Sequence, residues 1–239
     1  MPYEPRLAGH AAADARDRER IWWGEPLDRD VRALLAPRVA RAIWDSDCIG
    51  LPTTGRYLRE LNLLQEDSLE SSLTGRGLRA VLYCSEHLSR LRSPGLAQPV
   101  LVSCHLHQDL ALWDCYGTLL DGAKELVLVS CHPDLADWMA NRFGIRIAGN
   151  LVLPPDRISG PLLKRRVEET RGLPQILDKV ADDLGDLPRG RLVLVGAGYP
   201  GKWLASVARQ RGGVVLDLGS VFDHWIGLST RSYLDLDPA

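Results

Sequence analysis

Cysteine pairs at metal-binding or redox spacing are absent from this sequence. Its five cysteines, Cys48, Cys84, Cys104, Cys115 and Cys131, are scattered and form no C-x-x-C. An odd count without framework spacing speaks against a disulfide-stapled domain and for reduced thiols in the cytoplasm. Long apolar runs are missing too. None approaches the roughly 18 residues that a membrane span requires, so no span is expected. The stretch "MPYEPRLAGHAAADARDRER" lacks the apolar centre of a secretory signal. There is no basic excess: 29 Lys and Arg meet 31 Asp and Glu, a net charge of -2. That balance makes no electrostatic case for nucleic acid or an anionic membrane. Phenylalanine is scarce, with two residues against seven tryptophans. No linker rich in Gly, Pro or Ser and no low-complexity segment divides the chain.

What is present is a regular alternation. "DCIGLP" reads as a short buried strand after the amphipathic stretch "LDRDVRALLAPRVARAIWDS", in which Val31, Leu34, Leu35, Val39 and Ile43 fall at helical spacing. Pro37 is expected to kink or split that helix. A helical pattern returns from Leu69 to Leu91. Then "PVLVSCH" is a strand and "QDLALWDCYGTLL" a helix; "ELVLVSCH" a strand and "PDLADWMANRFG" a helix; "IRIAGNLVLP" a strand. "LPQILDKVADDLG" and "GKWLASVARQRG" are helices, and "RLVLV" and "GVVLDLG" are strands. Strands that alternate with helices of this length imply βαβ units and a parallel sheet. Their near-continuous Val/Leu/Ile character fits helices on both faces. The expectation is an N-terminal arm over 1–15. A single α/β domain follows over 16–239, with a mostly parallel sheet flanked by helices in the Rossmann-like manner.

One stretch carries the chemistry: "LVLVGAGYPGKWLASVARQRGGVVLDLGS", from Leu192 to Ser220. Gly196, Gly198 and Gly201 spell the dinucleotide fingerprint G-x-G-x-x-G, while Gly196, Gly201 and Lys202 spell most of a P-loop. Strand, glycine turn and helix form the context in which backbone N–H groups face a phosphate, and Lys202 adds a positive charge. Asp217 lies 21 residues after Gly196, at a strand end, where a ribose-binding acid sits in NAD enzymes. Only 22 residues follow it, so a dinucleotide domain has to be completed by earlier strands. The P-loop fails at Trp203, which stands where a metal-binding Ser or Thr is required. The bland alternative is a tight turn whose glycines let helix and strand pack closely. A site for another nucleotide diphosphate is the third reading. It is supported by the continuation "VVLDLGSVFDHW", which puts Asp217, Gly219, Ser220, Asp223 and Trp225 near the C-terminal edge of the sheet.

At these residues the C-terminal unit "LVLVGAGYPGKWLASVARQRGGVVLDLGSVFDHWIG" resembles the end of the GT-D-fold glycosyltransferases. There a strand ending D-x-G precedes a downstream acid and an aromatic. "LVSCHPDLADWMANRFGI" is similar to that family's central unit, and "DSDCIGLP" to its early strand. The likeness runs in patches from about Arg20 to Gly227. It implies a GT-D type fold and transfer of a sugar from a nucleotide-diphosphate sugar to an acceptor that the sequence leaves unidentified. It also implies a site in which Asp217, Asp223 and Glu25 are catalytic. Arg20, Gly196, Gly198, Gly201, Lys202, Gly219, Ser220, His105, His107 and Trp225 would bind the donor. The family's early signature resembles R-x-G-D-G-E, whose acids help hold a divalent metal. Here it reads "RIWWGE": Arg20, Gly24 and Glu25 match, but Trp22 and Trp23 replace the Gly and the Asp. Tryptophan offers no oxygen ligand to Mg²⁺ or Mn²⁺. The metal requirement is therefore open. Either Asp45, Asp47 or Asp223 substitutes, or Lys202 and helix N–H groups carry the diphosphate charge, or activity is lost.

Other residues carry weaker signals. Cys104, His105, His107, Cys131 and His132 end two strands, but at spacings unlike those of zinc sites. The histidines read better as lining the active edge. Trp113, Trp138 and Trp203 lie within amphipathic helices and read as core; Trp22, Trp23 and Trp225 lie at element ends and are pocket candidates. Arg157, Lys164, Arg165, Arg166 and Arg171 make a basic loop that reads as a solvated face or as a lid over a diphosphate. Two rival functions stand beside transfer: an NAD(P)-dependent oxidoreductase using the G-x-G-x-x-G turn, and a non-catalytic nucleotide-sugar-binding protein.

Overall fold

The computed structural model describes residues 16, 19–23, 25–51, 99–155, 173–185, 187 and 189–230. The chain forms two compact units, Met1–Arg18 with Ser46–Leu106, and Glu19–Asp45 with His107–Ala239. Each is described by itself. The helical pattern at 69–91 and the basic loop at 157–171 lie outside the described residues.

In the first unit, strands β1 (Cys48–Leu51) and β2 (Val100–Ser103) pair in parallel, with Cys48 opposite Val100 and Leu51 opposite Ser103. The second unit begins with helical residues 19–23 and helix α1 (Arg29–Trp44). Asp28 caps α1 by accepting from the Val31 N–H at 2.8 Å. The helix runs through Pro37 as one element and is not split there. Buried Leu35 and Val39 on either side of exposed Pro37 anchor both halves, so packing outweighs the lost backbone bond.

Helix α2 (Leu106–Leu112) and the short α3 (Tyr116–Leu119) replace the single helix expected there. The break falls at Trp113–Cys115, where Asp114 takes φ 51. Aspartate tolerates that left-handed conformation, and Arg142 donates to both of its carboxylate oxygens at 3.0 Å. Trp113, expected in the core, is 72% exposed because it sits at this break. Then follow β3 (Glu125–Ser130), α4 (Leu135–Phe143), β4 (Arg146–Val152), α5 (Leu173–Asp183), β5 (Leu192–Gly196), α6 (Gly198–Gln210), β6 (Val214–Asp217) and α7 (Val221–Trp225).

These strands form a four-stranded parallel sheet in the order β4-β3-β5-β6. The strand sequences assign its faces. Leu126, Leu128 and Leu194 point to one side and pack with Tyr116, Leu135, Met139 and Phe222. Val127, Val129, Val193 and Val195 point to the other and pack with Trp23, Leu35, Leu177 and Leu204. Period-2 alternation thus yields a leucine face under α3, α4 and α7 and a valine face under α1, α5 and α6. Each such side chain fully removed from water contributes about 1.5–3 kcal/mol. The architecture is α/β, with parallel strands flanked by helices. Among the described residues no helix is long and apolar enough to cross a membrane.

Candidate functional site

The strand order has a consequence for ligand binding. From β3 the chain steps outward to β4 through α4 on the leucine face. From β5 it steps the opposite way to β6 through α6 on the valine face. A constant crossover hand couples direction to face in this way. The loops after β3 and β5 therefore diverge to opposite sides, and the crevice between their C-terminal ends is the topological switch point where open α/β sheets bind ligands.

The chain's own side chains occupy the two sides of that crevice. A β-carbon at Gly196, the last residue of β5, would collide with the Phe222 ring. Gly198 has φ +56, which suits glycine, and a β-carbon there would collide with the Trp22 ring. One at Gly201 would lie 2.9 Å from Val195 Cγ1. Each glycine of the fingerprint thus permits a close approach of protein to protein. The helix start is also poorly equipped for an anion: Pro200 has no N–H, and that of Gly201 is spent on the Ala197 carbonyl at 3.2 Å.

The two tryptophans of "RIWWGE" explain this packing. Trp23 is buried, at 3% exposure, and meets Tyr199 edge-on at 6.1 Å between ring centroids. Trp22 lies over Gly198. Trp23 is enclosed and Trp22 is partly buried against the glycine turn, and the positions that carry metal-binding acids in the resembled signature do not fit a divalent ion. Arg20 and Glu25 are exposed on the same segment. Of the acids that could have substituted, Asp45 accepts from Ser206 Oγ (3.3 Å) and Gln210 Nε2 (2.9 Å), well along α6 from its glycine start. Asp47 is exposed in the first unit. Among the described residues no group of three or more His, Cys, Asp or Glu is arranged to hold a metal ion.

Asp223 was expected to meet substrate. It is 8% exposed, with both oxygens engaged. His132 Nε2 donates to Oδ1 at 2.6 Å, and Thr230 Oγ1 donates to Oδ2 at 2.5 Å. His132 is itself 1% exposed, and its backbone N–H donates to Ser130 Oγ at 3.1 Å. This buried couple ties the end of β3 to α7 and the segment after it. Cys131 Sγ lies 3.6 Å from His132 Nε2 and 3.8 Å from Nδ1. Near-equal distances to both nitrogens put the sulfur in line with neither, so the trio is no thiol-imidazole relay. Trp225 packs among Trp138 (stacked, 5.2 Å), Tyr116 (5.1 Å) and Phe143 (5.6 Å), so its ring is committed to this cluster.

What stays accessible lies between β5 and β6. Lys202, on α6, forms an ion pair with Asp217, the last residue of β6; their side chains are 47% and 25% exposed. Asp217 Oδ1 also accepts from the Gly219 N–H at 3.3 Å, an Asx-turn. Gly219 has φ +50, and a β-carbon there would come within 3.5 Å of His107 Nε2. Ser220 Oγ accepts from the buried Gln108 Nε2 at 3.3 Å. The Tyr116 hydroxyl donates to the His107 carbonyl at 2.8 Å. Burial pushes the Tyr116 pKa upward, so the donor keeps its proton. Lys202, Asp217, Gly219, Ser220 and His107 thus share one edge. His105 belongs to the first unit, where its N–H donates to Ser103 Oγ at 3.1 Å.

Gln108, Tyr116 and Thr230 escaped sequence reasoning as site-shaping residues, whereas His132 was read as lining the active edge and is instead buried against Asp223. No protein-family model, curated protein or solved structure matches this chain.

A cavity of about 320 Å³ opens at the opposite, N-terminal edge, lined by Glu125, Arg146, Asp183 and Arg191 among others. Glu125 pairs with both arginines there. Its place at the N-terminal strand ends sets it apart from the ligand edge of parallel sheets.

Proposed function

We propose that the chain is a glycosyltransferase of GT-D type. It takes a nucleotide-diphosphate sugar at the C-terminal edge of the four-stranded sheet and transfers the sugar to an acceptor hydroxyl. The observation that carries this reading is the Lys202–Asp217 pair beside Gly219, Ser220 and His107. Transfer from such a donor needs a cation for the leaving diphosphate, acceptors for sugar hydroxyls and a base for the attacking hydroxyl. Lys202 supplies the cation, Asp217 and Ser220 meet hydroxyls, and His107 takes the acceptor's proton. Asp223, with both oxygens bonded inside the protein, holds His132 and α7 in place. The dinucleotide alternative asks pyrophosphate to lie over Gly198, where Trp22 stands. Reduced thiols at Cys48, Cys104, Cys115 and Cys131 fit a cytoplasmic setting for this activity.

A donor-hydrolysis and transfer assay across a panel of nucleotide sugars tests the reading. Asp217→Asn is expected to lower the rate about 10- to 100-fold, the loss of a charge-assisted bond to a sugar hydroxyl, with a melting temperature little changed. Wild-type protein that neither binds nor turns over any donor, yet binds NADH, overturns it in favour of the oxidoreductase.

A further inference from the structure

The Lys202–Asp217 pair does more than fill the edge. Resting on the donor reading of the same site, we propose that it is an exchangeable internal counter-ion pair. Through it the site selects ligands that carry an anion and hydroxyls on one molecule, and discriminates against either group alone.

Both side chains are partly exposed, Lys202 by 47% and Asp217 by 25%. An ion pair so placed contributes little net stability and is readily opened by a competing partner. An anion that takes Lys202 must displace Asp217, however, and leaves an unpaired carboxylate beside its own charge. That carboxylate does not simply swing away, because Oδ1 is held by the Gly219 N–H at 3.3 Å. Gly219 in turn takes the left-handed backbone that this Asx-turn uses, beside His107. The freed Oδ2 is an acceptor that hydroxyl groups satisfy and phosphate oxygens do not. A polyol alone offers Asp217 a partner but gives Lys202 nothing in exchange. A phosphate ester of a sugar or nucleoside satisfies both halves at once, which makes Asp217 a specificity-determining residue as well as a contact.

The test is isothermal titration at fixed ionic strength with inorganic pyrophosphate, uridine, and a panel of UDP, GDP, ADP and dTDP. The proteins are wild type, Asp217→Asn, Asp217→Ser, and each of these combined with Lys202→Met. Thermal melts confirm that each variant is folded. At least one nucleoside diphosphate is expected to bind wild type, with pyrophosphate and uridine much weaker. Removing the carboxylate should change the two ligand classes in opposite directions. Pyrophosphate should bind about tenfold tighter, because it no longer competes with or faces Asp217, while the nucleotide binds more weakly. The pyrophosphate gain should vanish when Lys202→Met is added. Unchanged or weaker pyrophosphate binding in both Asp217 variants overturns the exchange, as does a gain that survives Lys202→Met. A pyrophosphate gain in a protein whose wild type binds no nucleotide supports the exchangeable pair and overturns the nucleotide-sugar reading.

Discussion

The turn after β5 and the turn after β6 stand side by side on the same sheet edge, and they use glycine differently. After β5, Gly196 and Gly198 admit the rings of Phe222 and Trp22. After β6, Gly219 lets the chain double back so that its N–H meets Asp217 while His107 stays close. The first turn has the louder motif and is packed by aromatic side chains. The second has no named motif and holds polar groups that are open to solvent. A glycine pattern records where backbone must come close to something; it does not record whether that something is a phosphate or an indole.

A methyl group added at each turn separates a packed glycine from an open one. Gly196→Ala is expected to destabilise the protein by about 3 kcal/mol, since it drives a β-carbon into a fully buried ring. Gly219→Ala is expected to cost about 1 kcal/mol, from its left-handed backbone. Urea denaturation measures both. Equal losses at the two positions mean that the first turn is no more tightly packed than the second. Adding Phe222→Leu should shrink the Gly196→Ala penalty, as a shared contact requires.

The two acids divide in the same way. Asp223→Asn is expected to lose about 2 kcal/mol, because one of the buried bonds from His132 and Thr230 then meets an amide N–H. Asp217→Asn should lose less than about 1 kcal/mol, as expected for a partly exposed pair. If the order is reversed in chemical denaturation, the assignment of Asp223 to the interior and Asp217 to the ligand is wrong.

Tyr116, which holds the His107 backbone, has a smaller effect with a distinctive pH dependence. Tyr116→Phe should cost about 1 kcal/mol near neutrality through the lost bond. Burial raises the folded-state pKa above the ordinary value of about 10. Above that value the unfolded chain releases the proton while the folded chain keeps it, so stability falls as pH rises. The wild-type urea midpoint should therefore drop more steeply above about pH 10 than that of the Phe variant. Parallel slopes mean that the hydroxyl is not held protonated by burial.

The smallest effect is expected from metal removal. Trp22 and Trp23 pack against the first turn, and Lys202 carries the charge at the second. Transfer activity should persist in EDTA. Loss in EDTA with recovery on Mn²⁺ gives the metal role back to acids not assigned to it.

Much of the fold was readable in advance. The strands β1 to β6 lie where "DCIGLP", "PVLVSCH", "ELVLVSCH", "IRIAGNLVLP", "RLVLV" and "GVVLDLG" put them. The helix α6 follows the glycine turn as its context required. The break at Asp114 went unseen because no glycine or proline marks it: an aspartate takes the left-handed conformation there. Pro37 does not split α1, because local propensity knows nothing of the core that Leu35 and Val39 enter.

Periodicity is a local property, and it was enough to fix the leucine and valine faces of β3 and β5, since alternate residues of a strand point to opposite sides whatever surrounds them. Which groups meet across those faces is not local. His132 reaches Asp223 over 91 positions. Trp22 reaches Gly198 from the other end of the second unit's chain. Those meetings depend on the direction and face of each crossover. The sequence alone determined that a parallel sheet would present a glycine turn and an acid-bearing turn at one edge. Only the tertiary structure decided that aromatic rings occupy the first, and that a lysine and an aspartate face each other at the second.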